Sequence, residues 1–367
     1  MAKNMTRTRE PLFHVAKRGQ MPVWQSLAIR LCAILAALLF CGILCVAVLG
    51  KNPISFYDNM IKGVFGTERR IWKMLKDLAV LLCVSLAVTP AFKMRFWNIG
   101  AEGQVLMSCL ACVACAFYLG GSIPNGLLLV IMFISAIVAG AIWAVIPAIF
   151  KAVWNTNETL FTLMMNYIAT SLVAFFLVVW VPSGSSALGE LKFGWLPTIG
   201  GSLDKYGYLL LVLVVALLTV GMFIYLKYSK HGYEIAVVGE SQKTACYIGI
   251  NVKKVIIRTL IVSGALCGIA GFLIVSALDH SITVETVGGR GFTAIMVSWL
   301  GKFNPFVMIL TSFLMVFLQQ GADQVVSAFR INDTFTSIVT GIILFAIIGC
   351  EFFINYKLIF RTKEGKK

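Results

Sequence analysis

FWNIGAEGQ, Phe96–Gln104, splits a long apolar stretch of the chain in two. Asn98, Glu102 and Gln104 make it polar. Gly100 and Gly103 let the backbone turn sharply or approach a neighbour closely. In a soluble protein this nonapeptide would be a surface loop. Here hydrophobic residues make up 59% of 367 and charged residues only 13%, and the mean hydropathy is +0.89. Soluble domains carry about 25% charged residues. The chain is therefore read as an all-α integral membrane protein, with the break in or beside lipid. On the residues alone two readings of the break stand open. A helix starting near Gln104 would aim free N–H groups into the turn and form a broken-helix element lining a pathway. Alternatively, the stretch is a tight cytoplasmic turn whose Glu102 caps the helix that follows.

Outward from the break, apolar runs lie at about 26–49, 72–91, 99–120, 125–150, 159–181, 207–227, 256–278, 288–302, 305–328 and 334–358. They amount to about ten transmembrane helices with glycine-broken elements. The run at 288–302 is the shortest, and without it there would be nine. The first run is too long for a signal-peptide core. The net charge is +15. Ten spans after a cytoplasmic N-terminus bring Lys93, Arg95, Lys151, the basic loop 228–255 and the basic tail to the cytoplasmic side, as the positive-inside rule asks. The expected organisation is a cytoplasmic segment over 1–24, a transmembrane domain over 25–358 and a cytoplasmic tail over 359–367. Segments 51–71 and 182–206 fall outside.

Several function classes drop out. No basic domain outside the lipid is large enough for nucleic acid. No G-x-x-x-x-G-K-[ST], H-E-x-x-H or G-x-S-x-G occurs. Cys109, Cys112 and Cys115 form CLACVAC, which lacks the fourth cysteine and proline of an iron–sulfur run; small residues at that spacing pack helices together. His14, His231 and His280 are scattered and offer no metal-ligand spacing. A chain without catalytic equipment, cofactor or metal site is expected to move something, or to help another chain move it.

Polar groups at membrane depth face a cavity or a partner helix. In NETLFTLMMNYIAT, Asn157–Thr170, the residues Thr159, Thr162, Asn166 and Thr170 share one helix face, for pathway lining or for interhelical hydrogen bonds. In VGGRGFTAIMVSWLGKFNP, Val287–Pro305, glycines bracket a short apolar piece. It matches FWNIGAEGQ in the other half of the chain, and such pairs point to a midplane site. SGALCGIAGF, Ser263–Phe272, carries the small-xxx-small step Gly264 and Gly268, a structural packing signal. In the loop, Ser241–Ile248 has the length of two helical turns, with Glu240 or Ser241 at its start and Gly249 at its end. Alone it would be marginal, so it needs a surface to dock on.

NPISFYDNMIKGVFG, FWNIGAEGQ, NETLFTLMMNYIA, GESQKTACYIGI, SGALCGIAG and GFTAIMVSWLGKFNP follow one another in order. That series resembles the membrane permease subunit of bacterial ABC importers for nucleosides and simple sugars, within the branched-chain amino acid and ribose permease group, from about residue 50 onward. The resemblance implies a multi-pass protein of the bacterial plasma membrane. It implies a second, unlike permease subunit, ATP-binding subunits that hold ATP and magnesium, and an extracellular substrate-binding lipoprotein. It favours the broken-element reading of FWNIGAEGQ. The pathway then falls to Phe96, Trp97, Asn98, Glu102, Gln104, Thr162, Asn166, Phe292 and Thr293. GESQKTACYIGI matches the coupling helix, so Gly239, Glu240, Ser241, Ala245 and Gly249 are expected to meet the ATPase. Ser-Gln-Lys-Thr replaces the Asn-Pro and basic residue usual there. Nucleosides are the first expectation for substrate, and a sugar such as ribose the second.

Overall fold

The computed structural model describes residues 13–18, 22–50, 52–181, 188–197 and 207–360. Most of the expected segment 1–24, parts of the loop 182–206 and the tail beyond 360 lie outside these residues. The chain divides into two units, 65–317 and the pairing of 1–64 with 318–367.

In the larger unit the helices are α3 (Glu68–Lys93), α4 (Ala101–Leu119), α5 (Asn125–Trp154), α6 (Glu158–Trp180), α7 (Leu209–Tyr228), α8 (Lys230–Glu240), α9 (Gln242–Tyr247), α10 (Val252–Ile274) and α11 (Arg290–Leu300). A π-helical turn, Val275–Asp279, extends α10. α12 (Pro305–Phe329) begins here and ends in the other unit. Local chemistry sets several starts. The Thr67 side chain accepts from Arg70 N at α3, Asn157 from Thr159 N and Leu160 N at α6, and Asn251 from Lys254 N at α10. Each satisfies donors that a helix start leaves open.

α10 is the keel of this unit, packed on α3, α4 and α5. A Cβ on Gly268 would lie 2.6 Å from the Ala136 carbonyl, and one on Gly271 2.6 Å from the Ser108 Cβ. Gly264 and Gly140 meet backbone to backbone. Glycine therefore admits contacts that any side chain would block, and in lipid such packing drives helix association. The CLACVAC cysteines serve the same packing. Cys109 Sγ donates to Gly271 O at 3.6 Å and Cys112 Sγ to Met132 O at 3.5 Å. Among the described residues no cluster of possible ligands could hold a metal.

The smaller unit holds α1 (Val23–Leu49), α2 (Pro53–Phe65), the end of α12 and α13 (Asp333–Asn355). The segment expected as the outer loop 51–71 is instead mostly the helix α2. α2 bends back from α1 by 116°, and its Tyr57 hydroxyl donates to Leu38 O. It buries Phe56 and Met60, with Phe56 against Phe329 and Phe335. Two short strands, β1 (Phe13–Lys17) and β2 (Tyr356–Phe360), pair antiparallel with Phe13 opposite Phe360. The last expected span, to 358, therefore ends earlier as helix.

The all-α membrane class holds. Among the described residues seven helices are long and apolar enough to cross: α3 to α7, α10 with its π-turn, and α12; counting α1 with α2 as one broken span gives eight. The expected span at 288–302 is α11, only 11 residues long. It covers about 16 Å, against a hydrocarbon core of about 30 Å. Gly289, with φ +74°, starts it, and Gly301 closes it.

Candidate functional site

The two glycine-broken stretches meet. Glu102 lies in the first turn of α4, yet its carboxylate does not serve that helix. Oε1 accepts Gly289 N at 2.8 Å and Oε2 accepts Gly291 N at 2.7 Å. A carboxylate from α4 thus caps the N-terminus of α11, where N–H groups and dipole both favour negative charge. A Cβ on Gly291 would lie 2.5 Å from Glu102 N and 2.7 Å from Oε2, so the pairing needs glycine there.

Another residue meets one of the open donors of α4. Gly103 N donates to Asn166 Oδ1 at 2.9 Å, and Asn166 Nδ2 donates to Ile99 O at 3.0 Å. Ile99 N donates to Thr162 Oγ1 at 3.2 Å. The α6 stripe therefore holds the backbone of the break. Gln104 Nε2 donates to Asn98 Oδ1 at 3.2 Å, and both side chains are fully buried. This polar accounting is what permits irregular backbone away from water.

The crossing also packs against α3. Ser298 Oγ lies 3.0 Å from Thr89 Oγ1, Trp299 packs edge-on to Phe92, and Arg290 reaches Asp77 at 3.7 Å. The pairs rise together along both chains, so α11 runs parallel to α3. Gly291 precedes Trp299 by about 12 Å of helix, and the same distance back from Phe92 reaches Val84, mid-way along α3. The Glu102 crossing therefore lies level with the middle turns of α3, between Asp77 and Val84. Glu102 thus caps α11 and not its own helix.

The remaining expected pathway residues separate. Phe96 is buried in an apolar cluster with Met94, Ala148, Ile235 and Leu260. Trp97 is half-exposed and packs in a tilted pair with Trp299, centroids 5.4 Å apart. Phe292 is 40% exposed. Thr293 Oγ1 donates to Gly289 O at 3.2 Å. The structure adds charges that pattern reading passed over. Lys76, Asp77 and Arg290 lie within electrostatic reach of Asp279, and Arg290 also of Glu102. Lys76 and Asp77 look like flanking charge in the sequence. The third turn of a helix is already inside the span, and that position was the available signal.

The loop segment forms α8 and α9. Ser241 Oγ accepts Thr244 N at 3.2 Å and starts α9, and Gly249 turns at φ +84° after it. Ala245 is fully buried. Gly239 is pressed on the Lys93 carbonyl at the end of α3. Both face the chain's own bundle. Glu240, Gln242, Lys243, Thr244, Cys246, Tyr247 and Gly249 are exposed, Tyr247 at 93%. One face of α9 is docked and the other is bare.

Residues 70–348 match the family described as branched-chain amino acid transport system / permease component. The chain is 27% identical, over 93% of its length and 92% of the relative's, to a glucose ABC transporter permease protein of Haloferax volcanii. It is 30% identical, over 77% and 81%, to the guanosine ABC transporter permease protein NupP of Bacillus subtilis. It is 25% identical, over 57% and 67%, to the guanosine permease NupQ of the same organism. No solved structure matches it at comparable significance. A glycine-broken bundle of membrane spans, and a match over most of its length, lead to one assignment: the chain belongs to the permease component family of branched-chain amino acid type ABC transport systems.

Proposed function

We propose that this permease forms half of the pathway of an ATP-driven importer for nucleosides in a bacterial plasma membrane. The carrying observation is the Glu102–α11 crossing. An ionisable group among packed spans is costly unless it is used, and here it ties the short helix α11 to a neighbouring span. Ionic and glycine contacts of this kind have discrete arrangements rather than a continuum, which suits a pathway that alternates access. The half-exposed aromatics Trp97, Phe292 and Trp299 suit a neutral cargo with an aromatic face. Asn98, Gln104, Thr162 and Asn166 position the break, and Glu102 and Arg290 hold α11.

In this reading a separate subunit binds and hydrolyses ATP with its magnesium. Glu240, Ser241 and the bare face of α9 receive its motion, while Gly239 and Ala245 pass it to α3 and the bundle; Gly249 frees the chain after α9. A second, unlike permease completes the pathway, as the pair of guanosine permeases from one organism suggests. An extracellular lipoprotein delivers substrate.

The test is affinity purification of the tagged chain, followed by uptake assays in proteoliposomes carrying the recovered complex. Recovery of an ATP-binding subunit and a second permease, with ATP-dependent uptake of guanosine, is expected. Uptake of glucose in preference to nucleosides would favour the second reading, a sugar importer, which the archaeal glucose permease supports over nearly the whole chain. Uptake that survives without ATP would overturn both.

A further inference from the structure

The cavity between the starts of α8 and α10 has no part in the pathway or the α9 surface. It measures about 460 Å³ and is lined by Ser229, Lys230, His231, Glu234, Asn251, Lys254, Val255 and Arg258. Three of these are cations and one is a carboxylate. Glu234 Oε2 accepts from Arg258 at 2.5 Å, which leaves Lys230 and Lys254 without an acidic counterpart among the lining residues. Arg258 Nε is buried and has no hydrogen-bond partner. A donor on a cation is expensive to leave unmet, and the Arg258 side chain as a whole is 42% exposed.

The backbone adds to the imbalance. Ser229 Oγ takes Gly232 N at 2.9 Å and Asn251 Oδ1 takes Lys254 N at 3.1 Å. Each side chain meets one donor of its helix and leaves the earlier N–H groups without a helical acceptor. Ser229 and Lys230 of α8 and Asn251 and Lys254 of α10 both line the cavity, so two helix starts share it with the two lysines. His231 forms the back wall and does not compete for a ligand. Its Nδ1 lies 2.5 Å from the Tyr225 hydroxyl and its Nε2 3.3 Å from Thr259 Oγ1. Burial, followed by the Arg258 charge, lowers its pKa from the ordinary histidine value, so the imidazole stays neutral.

The position narrows the ligand. The apolar run of α7 ends at Tyr228, and the first turns of α10 carry Lys253, Lys254 and Arg258 before its apolar run begins. The cavity thus lies level with the polar layer of the bilayer. Tyr228 and Tyr233 beside it are 69% and 62% exposed, as aromatic residues of the interface are. Basic pockets at this height recognise phosphate-bearing headgroups.

We propose that this cavity is an anion site that takes a phosphate group, carried by an acidic phospholipid headgroup or free in solution, on Lys230, Lys254 and Arg258. The experiment compares the wild-type transporter complex with a K230Q/K254Q variant in nanodiscs of phosphatidylcholine with or without phosphatidylglycerol. Native mass spectrometry counts retained phosphatidylglycerol, and calorimetry in the pure phosphatidylcholine discs titrates inorganic phosphate. The variant keeps the Arg258–Glu234 pair, so the fold is expected to persist; an unchanged unfolding midpoint checks it. R258K, which keeps the charge but removes Nε, is the second variant. Each lysine near an acidic surface contributes about 1 kcal/mol, so the double variant should bind the lipid on the order of 30-fold more weakly. Loss of one retained phosphatidylglycerol per chain supports the site with lipid as its source. Loss of phosphate binding alone supports it with a soluble source. Equal lipid retention and equal phosphate binding in wild type and both variants overturn it, and so does a cavity filled by an acidic segment of another subunit.

Discussion

α9 and α11 are both too short to be stable alone, and they are stabilised in opposite ways. α9 takes its cap from the adjacent Ser241 and leaves one face bare. α11 takes its cap from Glu102, nearly two hundred residues away, and is packed against α3 by Ser298 and Trp299. A short helix with a local cap can move as a unit over the surface it rests on. A short helix whose cap belongs to another span cannot move without that span. Under the proposed function, the contrast would make α9 the transmitting helix and α11 the latch.

The largest effect is expected at the latch. Glu102→Gln leaves one oxygen to accept and turns an amide N–H toward a backbone donor. Losing a charge-assisted bond in a buried place costs about 2–3 kcal/mol. The unfolding midpoint of the purified complex and uptake should both fall; retention of both would remove the latch from the comparison. Gly291→Ala comes next, because its Cβ would press on Glu102 N and Oε2. Overpacking of that kind costs about 1–3 kcal/mol, and uptake should fall with it, whereas Gly126→Ala, where no atom lies within 4 Å, serves as the neutral control.

Ser241→Ala should cost about 1 kcal/mol through the lost cap, seen as faster amide exchange confined to α9. Exchange that rises equally in α11 would show that the two helices are not independent. The smallest change in stability belongs to Tyr247→Ala. An exposed side chain with no described partner should stay within about 0.5 kcal/mol. If α9 transmits, substrate-stimulated ATP hydrolysis in the complex should nevertheless drop; unchanged stimulation would leave the bare face without a role.

Much of this architecture is legible in the residues. Composition dictates the all-α membrane class. Gly264 and Gly268 announce the α5–α10 contact, and Ser241 and Gly249 bound α9. The stripe through Thr162 and Asn166 faces inward, but what it faces is decided by tertiary structure. Asn166 spends both ends of its amide on Ile99 and Gly103, and no periodicity could name those partners. At 288–302 apolar content stands in for length. α11 is apolar enough for a span and is cut short by Gly289 and Gly301. Charge within spans was underestimated for a related reason. Asp77 and Asp279 sit near the ends of apolar runs, and only the fold brings them beside Arg290.

The interlock of α5 with α10 has a mechanical corollary. Where backbones touch at Gly140 and Gly264 there is no side chain to rotate and no slack to take up. Shear between these two helices would have to separate main chains before gaining any new contact. They behave as a single beam, so a cycle of opening and closing has to bend the molecule at its breaks and leave this beam straight.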